Sequence, residues 1–124
     1  MRAFVAALAA LLVATSVMAE PASPLFVFIY RQGPAYKTGT PMREQPAMSR
    51  HGAYMKKLFD EGHTFAAGPM TDTIGGLLIL RAASAEEAAA LLAADPGVSS
   101  GMFAAEVHAW SPAFRSDQPL PKTP

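Results

Sequence analysis

Few side chains in this 124-residue chain can move a proton or hold a metal: three histidines, ten carboxylates and no cysteine. The missing thiol excludes disulfides, thiolate metal sites and a cysteine nucleophile. His51, His63 and His108 form no HxxxH or HExxH pattern, so a metal has little support and no cofactor is expected. Gly75-Gly76 runs into Leu77-Leu78, without the Gly-Lys-Ser/Thr of a phosphate loop. What remains is acid–base chemistry by an imidazole and a carboxylate. The candidates are His51 and Asp95, two polar residues on otherwise apolar helical stripes. A buried imidazole or carboxylate needs a hydrogen-bonding partner. A carboxylate accepting from one ring nitrogen would fix the tautomer and leave the other nitrogen free to take or give a proton.

These residues depend on the elements that carry them. Leu25-Phe26-Val27-Phe28-Ile29-Tyr30 is an apolar, β-prone run that reads as a buried central strand. Residues 32–46, with Gly33, Pro34, Gly39, Pro41 and Pro46, form a long irregular loop of the length that is usually functional or mobile. From Ala47 to Glu61 the period is helical, with Met48, His51, Met55, Leu58 and Phe59 on one face and Gly62 as the stop. Thr64 to Ala67 is a second strand closed by Gly68-Pro69. Gly76 to Arg81 is a third. Ser84 and Glu87 make a capping box for a helix reaching about Ala94, with Ala88, Leu91 and Leu92 inward and Asp95-Pro96-Gly97 as its end. Met102 to Trp110 alternates as a fourth strand, with Phe103, Ala105, Val107 and Ala109 on one face and Glu106, His108 and Trp110 on the other.

The order βαββαβ predicts an α+β, ferredoxin-like sandwich. Short connections and right-handed crossovers favour an antiparallel sheet of order 4-1-3-2. In that topology the start of the first helix, the finish of the second, the loop after strand 1, the Gly68-Pro69 turn and the start of strand 4 share one end. His51 and Asp95 therefore fall at the same end. A carboxylate at a helix C-terminus is electrostatically disfavoured, which points to a functional or capping reason for Asp95. Two readings stay open on spacing alone. The residues face each other as a dyad, or His51 is a satisfied core histidine and Asp95 a turn former bonding its own backbone. With helices on one sheet face only, the other is left open. Phe28 or its alternates and Leu78 or Leu80 would then be wet, which predicts a homodimer.

Residues 1–19 have the layout of a secretory signal peptide: Arg2, an apolar run from Ala3 to Ala14, then Val17-Met18-Ala19 before Glu20. Residues 20–24 are a proline-containing linker. Without the first 19 residues, 105 remain, and the apolar share drops from 51% to about 45%, ordinary for one globular domain. The expectation is an exported protein, periplasmic or extracellular, with no stable membrane span after cleavage. Ten basic against ten acidic residues leave no basic surface for nucleic acid. Residues 113–124 read as a polar, proline-rich tail. Met42, Met48, Met55, Met70 and Met102 read as core filler rather than a copper site.

His51 with Tyr54 and Leu58, Gly62, Ala67-Gly68-Pro69, Gly76, Ser84 with Glu87-Ala88, Asp95-Pro96, and Val107 with Trp110 occur in an order and spacing that resemble the YciI-like (YCII-related) family across residues 25–112. The resemblance implies a ferredoxin-like fold that pairs as a dimeric α/β barrel, with a His–Asp active site falling on His51 and Asp95. Some relatives are lyases that remove chloride from chlorinated aromatic intermediates, and related barrels include isomerases and cofactor-free monooxygenases. The long 32–46 loop and the export signal depart from the shortest members.

The remaining candidates follow from position. Arg31, ending strand 1, would hold an anionic substrate near His51, or is a solvated strand terminus. Backbone amides at Gly68, beside Pro69, would serve the same anion. Tyr36 would cover the pocket or anchor its loop. His108 would line a cavity facing a second copy, or belongs to a half-exposed strand. His63 reads as an exposed strand-edge residue. The expected activity is that of a lyase or isomerase acting on a small, carboxylated or aromatic molecule through His51 and Asp95. The alternative is a non-catalytic dimeric ligand-binding module with a structural His–Asp pair.

Overall fold

The computed structural model describes residues 22–118, so the signal-peptide pattern and the last part of the tail lie outside the described residues. The elements are β1 (Leu25–Gln32), a one-turn 3-10 helix at Met42–Glu44, α1 (Met48–Asp60), β2 (Thr64–Pro69), β3 (Gly75–Arg81), α2 (Ala85–Ala93), a one-turn α3 (Pro96–Ser99) and β4 (Phe103–Trp110). The four strands form one antiparallel sheet in the order β2-β3-β1-β4, the expected 4-1-3-2 order read from the other edge. Among the described residues no helix is long and apolar enough to cross a membrane.

Alternation along the strands sorts the side chains. Phe26, Phe28 and Tyr30 of β1, Leu78 and Leu80 of β3, and Phe103 of β4 are buried under the helices. The cross-strand pairs Phe26–Leu80 and Phe28–Leu78 put the largest of them side by side, against Leu58 of α1 and Ala88 and Leu92 of α2. The opposite face carries Leu25, Val27, Ile29, Leu77 and Ile79, all half-buried. The open face is thus as apolar as expected. Leu78 and Leu80, however, lie on the covered face, because their in-phase partners are Phe28 and Phe26.

Local chemistry sets the ends. Gly62 takes φ 81°, and the amides of Gly62 and His63 donate to the carbonyls of Phe59 and Leu58, closing α1 in a left-handed turn. Ser84 Oγ accepts from the Glu87 amide at 3.1 Å, while the Glu87 carboxylate reaches one residue past the N-cap to accept from the Ala83 amide, a variant of the capping box. β2 is longer than expected and runs through Gly68-Pro69. A proline is tolerated there because β2 is an edge strand. A register shift between Thr64 and Ala66 leaves Phe65 outside the regular ladder, where its ring receives the Arg81 guanidinium at 5.1 Å.

One local expectation gains a second part. Asp95 directly follows Ala94, the C-cap of α2, and its amide donates to the Leu92 carbonyl, as expected of a residue ending that helix. Asp95 is the N-cap of α3: its side chain accepts from the Gly97 amide at 2.8 Å, and Pro96 takes the first helical position. A carboxylate is favoured at a helix N-terminus, which offsets the unfavourable α2 end beside it.

Candidate functional site

At the end of the sandwich where β1 and β2 finish and β3 and β4 begin, a cavity of about 300 Å³ opens between α1 and the sheet. Its floor is Tyr30, Leu78, Phe103 and the glycines Gly75 and Gly76. One wall is Ala67-Gly68-Pro69, and the other is α1 with Met48, His51 and Met55. Met42 reaches in from the one-turn helix of the 32–46 loop. The glycines are needed here. A Cβ on Gly75 would stand 2.1 Å from the Tyr30 carbonyl oxygen, and one on Gly76 would stand 2.9 Å from that of Gly68.

His51 and the phenol of Tyr30 are the ionisable groups in this lining. His51 Nδ1 lies 2.8 and 2.9 Å from the two oxygens of Asp95, and the side chains are 11% and 0% exposed. Because an ionised carboxylate only accepts, Nδ1 carries the proton, and the lone pair of the neutral ring sits on Nε2. Nε2 makes no hydrogen bond among the described residues. The ring is held edge-on between Tyr30 and Phe103, with centroids 5.6 and 5.2 Å away. Behind it, Gly97 leaves no room for a side chain: a Cβ there would meet His51 Nδ1 at 2.8 Å. Tyr54 donates to the Leu91 carbonyl at 2.8 Å and ties α1 to α2, fixing the spacing across which the pair bonds.

The 32–46 loop is fastened at both ends. The Gly33 and Ala35 amides donate to the Met102 and Gly101 carbonyls at 2.9 Å. The buried Gln45 closes the loop on itself: its Oε1 accepts from the Lys37 amide at 2.9 Å, and its Nε2 donates to the carbonyls of Lys37 and Thr40 at 2.8 and 2.9 Å. Met42 is thereby a fixed wall.

The sequence candidates separate into two groups. His51, Asp95, Gly68 and Pro69 come together at the cavity. Tyr36 packs beside the core as a loop anchor and does not line it. Arg31 and His108 lie on the open sheet face, away from His51. Arg31 Nη1 pairs with Glu106 Oε1 at 2.8 Å and His108 Nε2 approaches Glu106 Oε2 at 3.5 Å. The parity of β1 dictates this: Tyr30 points under the helices, so Arg31 points away. An anion in the cavity meets no arginine. His63 is half-buried at the start of β2, its ring nitrogen against the Arg81 carbonyl. Residues the sequence reading passed over are Tyr30, Phe103, Gln45, Gly97 and the three wall methionines. Tyr30 and Phe103 had a signal, since each is in phase with the apolar face of its strand at the end where His51 falls. Among the described residues no three His, Asp or Glu side chains cluster as a metal site.

A ferredoxin-like sheet with a buried His–Asp pair over an apolar cavity defines the class of molecule. The YCII-related domain model matches residues 25–111, and the chain belongs to that family. Among solved structures it is similar to 5-chloro-2-hydroxyhydroquinone dehydrochlorinase (TftG) from Burkholderia phenoliruptrix AC1100 in complex with 2,5-dihydroxybenzoquinone. That match has 26% sequence identity and a TM-score of 0.53, covering 69% of this chain and 93% of that one. Comparison with curated proteins gave no match.

Proposed function

We propose that this chain is a cofactor-independent enzyme of the lyase or isomerase type, acting on a small, largely apolar ring through His51. The observation that carries the reading is a buried Asp95 holding Nδ1 of His51, whose ring lines an otherwise apolar cavity. Nε2 takes a proton from the substrate, the released electron pair moves into the conjugated ring, and Asp95 stabilises the imidazolium that forms. If the electrons expel a leaving group such as chloride, the outcome is elimination. If the proton returns at another carbon, it is isomerisation. The similarity to a dehydrochlorinase favours elimination. The cavity carries no arginine or lysine to hold a carboxylate, so the substrate's own oxygens meet His51 and the backbone beside Gly68.

The half-buried face of Leu25, Val27, Ile29, Leu77 and Ile79 supports pairing with a second copy across the sheets, which would place Arg31, Glu106 and His108 toward the partner. The arrangement of residues 1–19 supports export to a periplasmic or extracellular space.

The test is chloride release from 5-chloro-2-hydroxyhydroquinone, with 2,5-dihydroxybenzoquinone binding measured by calorimetry. Catalysed release supports elimination. Binding without release, or without any exchange of substrate hydrogen with deuterated solvent, favours the alternative of a ligand-binding module. The alternative draws on one specific observation: beside His51 the other ionisable side chain of the lining is Tyr30, whose phenol is held by burial well above its ordinary range and is a poor proton donor to a leaving group.

A further inference from the structure

Asp95 is fully buried, and its two oxygens are unequally engaged. Oδ1 accepts from both the Gly97 amide and His51 Nδ1, whereas Oδ2 accepts from His51 alone. A buried carboxylate oxygen with spare acceptor capacity is costly unless a donor reaches it. The Tyr30 hydroxyl, buried and without a hydrogen-bond partner among the described residues, is such a donor. Its ring already lies edge-on against His51, which is bonded to Asp95. We infer that Tyr30 is the third member of the site, a positioning residue whose hydroxyl donates to Asp95 beside His51.

Among the neighbouring side chains the Asp95 carboxylate is the strongest acceptor for that hydroxyl. Tyr54, on α1, spends its own hydroxyl on the Leu91 carbonyl. Lys57 and Glu61, further along α1, pair with each other at the surface. The in-phase neighbours of Tyr30 across the sheet are Gly76 and Ala105, neither with a polar side chain. Burial first, and then the negative charge of Asp95, hold the phenol well above the ordinary tyrosine range. Tyr30 therefore remains a donor through the whole working pH range and does not compete with His51 for substrate protons. Its effect is to share the charge of Asp95 and limit how strongly the carboxylate draws on the Nδ1 proton.

The catalytic meaning of this arrangement rests on the proposed proton transfer by His51, but its test needs no substrate. In the full-length protein, the Nδ1 proton of His51 should give a downfield proton NMR resonance. Replacing Tyr30 with phenylalanine should move that resonance further downfield, because Asp95 then shares its oxygens with fewer donors. An unmoved resonance in a folded Tyr30→Phe protein would overturn the inference. Should that variant not fold, the unaltered protein decides: a slowly exchanging Tyr30 hydroxyl proton close to the Nδ1 proton of His51 is expected, and a rapidly exchanging one contradicts it. Absence of chloride release by the unaltered protein, with the resonance shift intact, would fault the proposed reaction and leave the triad standing.

Discussion

Two faces of one sheet carry similar chemistry and put it to opposite uses. Beneath the helices, Asp95 meets His51 with exposures of 0% and 11%; on the open face, Glu106 meets Arg31 and His108 with exposures of 42%, 65% and 59%. The bond lengths scarcely differ, at 2.8 Å for both His51–Asp95 and Arg31–Glu106. The difference is solvent. Water screens the outer cluster and competes for every donor, so such pairs contribute between nothing and about 1 kcal/mol. The inner pair has no water to fall back on, so its geometry is over-determined by Gly97, Tyr30 and Phe103, and one ring nitrogen is committed to the carboxylate. Burial gives His51 a defined tautomer and makes a hydrogen-bonded pair into a candidate catalytic unit.

The comparison is broken most strongly at Asp95. Asp95→Ala removes the acceptor of His51 and the N-cap of α3 together and should cost about 3 kcal/mol by denaturant unfolding. A loss under 1 kcal/mol would mean that the pair is not the anchor described. Gln45→Ala releases three hydrogen bonds that close the 32–46 loop and should cost about 1–3 kcal/mol. It should also raise hydrogen exchange at Lys37, whose amide Gln45 accepts; unchanged exchange would show that the loop is held by other means. Gly97→Ala should cost about 1–3 kcal/mol by overpacking against His51, and its signature is displacement of the imidazole in a crystal structure rather than unfolding. Smallest of all, Glu106→Ala on the open face should change stability by no more than about 0.5 kcal/mol in a monomeric state. A large loss that depends on protein concentration would instead place this cluster within a dimer.

The fold and the pairing of the site were legible because both follow from order and phase. βαββαβ with short connections leaves few topologies, and in that topology His51 and Asp95 must fall at one end. Asp95 as an N-cap was missed because Asp-Pro-Gly reads equally as a helix stop and a helix start. Only the four-residue turn that follows tells them apart. Arg31 lies at the His51 end of the sheet, but the parity of β1 turns it to the solvated face, so sharing an end did not put it in the cavity. Gln45 gave no signal at all, since its three partners are backbone groups, the farthest eight residues away, whose positions depend on the folded loop. The wall methionines looked like filler because a cavity wall and a core present the same composition from sequence.

The central claim is that His51 moves the proton and Asp95 holds it in place to do so. The most direct measurement is chloride release from 5-chloro-2-hydroxyhydroquinone by the unaltered protein and by His51→Ala, each checked for folding by its melting curve. The account predicts turnover in the unaltered protein and a loss of at least about 100-fold in a folded His51→Ala. Equal rates in the two proteins would contradict it.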